Sequence, residues 1–127
     1  MRIRSPLLLA AGLGLTIASA ACAQPPATAL REIDHLLRYI GNSGCEFKRN
    51  DTWNNAAAAE AHVRGKYDVM EKLGMINTTK DFIDKAATQS YFSGQPYAIK
   101  CGADVPVPSN FWLNNELARF RALQPGR

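Results

Sequence analysis

Apolar side chains recur at helical spacing in four segments of the chain, and each recurrence predicts one helix. Candidate N-caps precede the four segments, at Thr28, at Asn50–Thr52, at Asn77–Thr79 and at Ser109. The predicted core positions are Leu30, Ile33, Leu37 and Ile40 in the first helix; Ala56, Ala59, Val63, Tyr67 and Met70 in the second; Phe82, Ile83, Ala86 and Ala87 in the third; and Leu113, Leu117 and Phe120, with either Phe111 or Trp112, in the fourth.

Two short segments alternate instead, and these predict strands at residues 45–49 (C-E-F-K-R) and 97–101 (Y-A-I-K-C). Cys45 opens the first strand and Cys101 closes the second. Antiparallel pairing would therefore bring the two sulfurs together as a disulfide. The predicted fold class is α+β, with four helices packed around a small two-stranded antiparallel sheet and one disulfide.

The start of the chain has the parts of a secretory signal peptide. Arg2 and Arg4 give a positive first segment, and residues 7–17 form an almost unbroken apolar run. Small residues then allow cleavage after Ala23, or alternatively after Ala20. The apolar run is shorter than the roughly 20 residues that a membrane-spanning helix needs.

These features predict a signal peptide at residues 1–23 and a single domain at residues 24–127, periplasmic or secreted, with no membrane span in the mature form. Cys22 leaves a lipoprotein as the alternative, although the triplet before it lacks the usual large apolar residue. Cleavage after Ala23 leaves two cysteines, which an oxidising compartment would pair.

Charge and composition exclude several classes of partner. The whole chain carries 15 basic and 11 acidic side chains, a net charge of +4, and loss of Arg2 and Arg4 reduces this to +2. So small an excess gives no reason to expect a nucleic acid partner. Two paired thiols and two widely separated histidines, His35 and His62, do not suggest a metal site, and no cofactor is expected.

Four motifs follow one another in a familiar order: F-K-R-N at 47–50, A-H-V-R-G-K at 61–66, T-K-D-F-I-D-K-A-A at 79–87 and S-G-Q-P-Y-A-I-K at 93–100. Their order and spacing resemble the YfeK-like family of small exported bacterial proteins, a domain of unknown function, over about residues 29–121. The chain departs from the family pattern at three positions, Asp51 for Gly, Val63 for Leu and Tyr91 for Ser. The resemblance implies export and a shared fold, and it implies no reaction, cofactor or partner.

Five side chains are candidates for a ligand site. Arg49 and Asn50 fall at the predicted junction of strand and helix, where a guanidinium beside free N–H groups would bind a carboxylate or phosphate. The alternative is that Asn50 only caps the helix and Arg49 pairs with an acid. His62 and Lys66 lie four residues apart on one helix face, and Ser93 belongs to a turn.

The leading hypothesis is a non-catalytic binding or interaction module for an anionic group, because no catalytic motif is present. One alternative is a small hydrolase in which His62 acts with Ser90 or Ser93. Another is a structural partner of an envelope protein, with surplus aromatic side chains at the surface. His35 falls opposite the apolar stripe of the first helix, and we expect it to be exposed to solvent.

Overall fold

The computed structural model describes residues 25–125, together with Ile3, Pro6 and residues 9–16. Within these residues the elements are α1 (Ala27–Asn42), β1 (Glu46–Arg49), β2 (Thr52–Asn54), α2 (Ala56–Lys72), α3, β3 (Ala98–Lys100), β4 (Val107–Pro108) and α4 (Ser109–Ala122). Helix α3 consists of one α-helical turn, Thr79–Asp81, and a π-helical turn, Phe82–Ala86. The predicted α+β class and the four helices are confirmed. The predicted cleavage region, with Cys22, lies outside the described residues.

The sheet is larger than the sequence pattern predicted. It has four antiparallel strands in the order β2-β1-β3-β4, so the two-stranded sheet was wrong. The two missed strands are the edges, and both are too short to show alternation. Strand β4 also ends in Pro108, which a sheet tolerates at an edge where no N–H donor is required.

The connection between β1 and β2 is a two-residue hairpin turn at Asn50 and Asp51. Both residues have positive φ, 49° and 66°, as a type I′ turn requires. The prediction that Asn50–Thr52 caps the second helix was therefore wrong. Helix α2 begins later, and its cap is Asn55, whose Oδ1 accepts a hydrogen bond from the N–H of Ala58 at 2.8 Å.

The pairing of β1 with β3 confirms the predicted disulfide. The register sets Glu46 opposite Lys100 and Phe47 opposite Ile99. One residue further out, Cys45 and Cys101 are bonded, with an S–S distance of 2.04 Å. The bond therefore joins β1 and β3 covalently at one end of the sheet.

The core lies where the four helices meet the inner face of the sheet. Its largest fully buried side chains are Ile33, Leu36, Leu37, Ile40, Ile76, Phe82, Ile83, Ile99 and Leu113. The first predicted stripe is shifted, since Leu30 is 39% exposed while Leu36 is fully buried. Of the two candidates in α4, Trp112 packs against the core and Phe111 is exposed.

Helix α4 packs against α1 through an ion pair between the exposed Arg121 and a buried carboxylate, which the sequence pattern did not show. The carboxylate of Glu32 is 3% exposed overall and accepts bonds from Arg121 at 2.6 and 3.0 Å and from Thr79 at 2.8 Å. On the same side of α1, His35 stacks on Phe120 with ring centroids 4.0 Å apart. The expectation that His35 is exposed to solvent was wrong, because α4 covers that side of the helix.

Two predicted helix caps differ from the observed ones. Helix α1 is preceded by Pro26 rather than capped by Thr28, and Ser109 lies inside α4, where its hydroxyl donates to the carbonyl of Ala87 at 2.7 Å. Thr78 does cap α3 as predicted. In the described part of the chain, none of the helices has the length and apolar character needed to cross a bilayer.

Removing the disulfide should cost much of the stability of the domain. A closed loop with a sequence separation of 56 residues contributes about 4 kcal/mol in the chain-entropy model. We expect the Cys45→Ala, Cys101→Ala double variant to lose about that much free energy of unfolding in urea titrations. Reduced wild type is the control and should match the variant; equal stability of the oxidised and reduced forms would contradict the prediction.

Replacing Asp51 with Gly should stabilise the hairpin. Glycine adopts the positive φ of Asp51 without steric cost, and the exposed Lys48–Asp51 ion pair at 3.6 Å that is lost contributes little. We expect Asp51→Gly to raise the free energy of unfolding by about 0.5 kcal/mol, because relief of the left-handed backbone (about 1–2 kcal/mol) exceeds the entropic cost of glycine (about 0.5–1 kcal/mol). Asp104→Gly, at an exposed position without positive φ, is the matched control and should give no gain; the reverse ranking would contradict the turn assignment.

Candidate functional site

The inner face of the sheet places a tyrosine beside an arginine at the end opposite the disulfide. The β1–β3 register, carried one residue past Lys48↔Ala98, sets Arg49 opposite Tyr97. Helix α2 crosses this end of the sheet and supplies His62. Lys66 follows one turn later on the same helix face, as its spacing from His62 predicted.

The hydroxyl of Tyr97 joins the two α2 side chains. It lies 3.1 Å from Nε2 of His62 and 3.4 Å from Nζ of Lys66, whose ammonium is also 5.2 Å from the centre of the tyrosine ring. Lys66 donates a second bond to the carbonyl of Gln89 at 2.5 Å. The lysine therefore ties α2 to the segment that precedes β3.

The directions of these bonds follow from the chemistry of the groups. An ammonium only donates, so the Tyr97 hydroxyl oxygen accepts from Lys66. The hydroxyl proton of Tyr97 can then be donated in a hydrogen bond to Nε2 of His62. A neutral His62 that accepts at Nε2 carries its proton on Nδ1. No partner for Nδ1 occurs among residues 25–125, so this N–H is available to a ligand.

Burial and neighbouring charges support the neutral form of His62. Burial lowers its pKa below 6.5, and the positive charges of Arg49 and Lys66 lower the pKa further. Burial also lowers the pKa of Lys66 from its ordinary value. For Tyr97, burial raises the pKa, against the opposing influence of Arg49, so the hydroxyl stays protonated at neutral pH.

The site holds positive charge that the protein does not neutralise. Within residues 25–125, neither Arg49 nor Lys66 makes an ion pair with a carboxylate. Other basic side chains do have such partners: Arg64 lies 2.9 Å from Glu60 on the same helix. Lys72 at the end of α2 and the exposed Arg31 of α1 also lack a carboxylate partner in the described residues. What distinguishes Arg49 and Lys66 is therefore that both act on His62.

A pocket opens beside these groups. Its lining residues are Ile40, Phe47, Lys48, Arg49, Asn54, Ala58, Ala59, His62, Val63, Tyr97 and Ser109. Most of the wall is apolar, and the basic side chains lie among the polar part of the lining. The arrangement can therefore hold a small group of negative charge against Arg49 and His62.

The remaining predicted residues form a neighbouring cluster in which Asn50 joins two serines. The amide of Asn50 donates to Oγ of Ser90 at 3.4 Å, and its Oδ1 accepts from Oγ of Ser93 at 2.6 Å. Ser93 Oγ also accepts from the N–H of Gln95 at 3.2 Å. These bonds attach the β1–β2 turn to the segment before β3, and a direct ligand contact by Asn50 or Ser93 stays a prediction.

The structure thus brings Arg49, His62 and Lys66 together around a residue that the sequence analysis did not select. Tyr97 had been assigned only to a strand. Its signal in the sequence was its place in the S-G-Q-P-Y motif and its alternation with the buried Ile99. In the described residues, no group of three or more His, Cys, Asp or Glu side chains is placed to hold a metal ion.

Comparison with protein families supplies a classification. The model of a family of unknown function, DUF5329, matches residues 27–121. The chain belongs to the DUF5329 family. No curated protein and no solved structure matches the chain. The match covers α1 to α4 and agrees with the expectation that the chain belongs to a family without an assigned function. It does not carry the YfeK-like name.

The lowered pKa of His62 has a consequence for stability. As the pH falls through about 6.5, the unfolded chain takes up a proton on this histidine before the folded protein does. We therefore expect the contribution of His62 to be fully present above this pH and to diminish below it. His62→Gln should have a smaller loss of unfolding free energy between pH 7.5 and 5.5 than wild type, measured in urea; identical pH dependence would contradict the assignment.

Proposed function

We propose that this DUF5329 protein is an exported, non-catalytic binding module that holds a small anion at Arg49, His62 and Lys66. The observation that carries the proposal is the pair of cations, Arg49 and Lys66, with no carboxylate partner in the described residues. Both cations lie near enough to His62 to lower its pKa, and such an accumulation of positive charge is unfavourable unless a bound anion offsets the repulsion. The pocket beside Arg49 and His62 gives such an anion a place.

The hydrogen bonds of the site support binding over catalysis. A serine nucleophile needs a base within hydrogen-bond reach. Nε2 of His62 instead contacts the Tyr97 hydroxyl, while Ser90 and Ser93 bond to Asn50. The hydrolase alternative therefore has less support than the binding module.

The disulfide supports export. A bond such as Cys45–Cys101 persists in the periplasm or outside the cell, whereas cytosolic reductants keep most thiols reduced. Periplasmic or secreted location fits the predicted signal peptide of residues 1–23. Cleavage after Ala23, lipidation of Cys22 and the YfeK-like name stay predictions.

One observation favours the second candidate, a structural partner of an envelope protein. Tyr91 and Phe92 are 74% and 96% exposed at the tip of the segment before β3, with their rings 5.4 Å apart. Exposed aromatic side chains are common anchors at protein interfaces. This role is compatible with anion binding, because the tip projects from the segment whose base contacts Lys66.

The proposal is tested by titrating labelled protein with acetate and, separately, with inorganic phosphate, followed by nuclear magnetic resonance. Wild type should bind at least one of the two, with shifts at His62 and Tyr97. Arg49→Ala should weaken that binding about tenfold or more, because a bond between charged groups is lost.

Arg31→Ala is the matched control, since it removes the same charge from an exposed position of α1 outside the pocket. It should bind as wild type does. Absence of binding by wild type, or equal binding by the Arg49 and Arg31 variants, would overturn the proposal.

A further inference from the structure

The interior of the pocket is mostly apolar, and only a few of its lining residues carry hydrogen-bond donors. The walls include four buried side chains from three elements, Ile40 of α1, Phe47 of β1, and Ala59 and Val63 of α2. An anion held by Arg49 alone would leave these walls in contact with water. Apolar walls in an open pocket gain free energy when an apolar group displaces that water.

Two polar side chains of the lining already donate hydrogen bonds within the protein. The amide of Asn54 donates to the carbonyls of Thr52 at 3.1 Å and Phe47 at 3.5 Å. The hydroxyl of Ser109 donates to the carbonyl of Ala87. Their N–H and O–H donors are therefore in use and offer nothing to a second anionic or carbonyl group of the ligand, so we expect the part of the ligand beyond its charged head to be apolar.

The size of the pocket limits that apolar part. The volume of the pocket is about 70 Å³. A single water needs roughly 10–15 Å³ on this measure, so the pocket takes about five to seven non-hydrogen atoms. This is the length of a short aliphatic chain and is too small for a long acyl chain or a sugar ring with its substituents.

We propose that the ligand is a short-chain aliphatic monocarboxylate of about four to six carbons, the carboxyl carbon included, with its carboxylate between Arg49 and the Nδ1–H of His62 and its chain against Phe47, Ala59 and Val63. This inference rests on the proposed anion-binding function and names its ligand class. A guanidinium holds a carboxylate through two parallel hydrogen bonds. A second charged group, as in a diacid, would have to enter the apolar interior without a partner.

The test is a series of unbranched carboxylates, acetate, butanoate, hexanoate and decanoate, titrated into the full protein and followed by nuclear magnetic resonance or calorimetry. Each added methylene should tighten binding about threefold to fourfold up to six carbons, because each is removed from water. Decanoate should gain little over hexanoate, since its remaining carbons lie outside the pocket. Hexanamide, of the same shape without charge, should bind at least about tenfold more weakly than hexanoate.

A pair of variants locates the chain. Ala58 lines the pocket and Ala57 does not, and both are exposed positions of α2. Ala58→Leu should fill the mouth and abolish the gain from acetate to hexanoate. Ala57→Leu is the matched control and should keep the gain, which separates pocket filling from a general effect of leucine on the helix.

The outcomes separate this inference from the proposed function. If acetate or phosphate binds through Arg49 but hexanoate binds no more tightly than acetate, the protein binds anions and the chain-binding pocket is refuted. If hexanamide binds as well as hexanoate, the pocket takes apolar groups and the carboxylate contact is refuted. If phosphate binds but no carboxylate of the series does, the proposed function stands and the carboxylate inference is refuted; if neither phosphate nor any member of the series binds, both proposals are overturned.

Discussion

The antiparallel pairing of β1 with β3 is the constraint on which the rest of the structure depends. The disulfide Cys45–Cys101 closes this pair at one end, and the register then places every later residue of the two strands. Phe47 meets Ile99 in the core, and one step past the paired residues Arg49 meets Tyr97. The same register that buries the core therefore places the cation beside the tyrosine at the open end.

The candidate site is held in place by hydrogen bonds that involve no carboxylate and therefore leave the positive charges of the site without an ionic partner. Lys66 bonds to Gln89 and Tyr97, and Asn50 bonds to Ser90 and Ser93, so α2, the β1–β2 turn and the segment before β3 converge at one end of the sheet. These bonds order the surroundings of Arg49 without neutralising it. Unpaired cations near one another lower stability, and proteins commonly retain such local conflicts at functional sites.

Part of the site could be predicted from local spacing. His62 and Lys66 share a helix face because any two residues four apart in a helix do. Arg49 was selected for a junction that does not exist, since Asn50 and Asp51 form a hairpin turn and α2 begins only at Ala56. The predicted pairing of Cys45 with Cys101 already implied that Arg49 lies opposite Tyr97, whereas the approach of His62 could not be predicted, because it depends on how α2 packs across the sheet.

The sequence by itself determined the elements whose causes are local or covalent: four helices from apolar periodicity, two strands from alternation, and the pairing of the only two cysteines outside the predicted signal peptide. The tertiary structure alone decided the edge strands, the partial burial of His35 under α4 and the contact between Tyr97 and His62. The physical reason is that each of these depends on contacts between segments far apart in the chain. Local spacing carries no information on which distant segment will cover a given face.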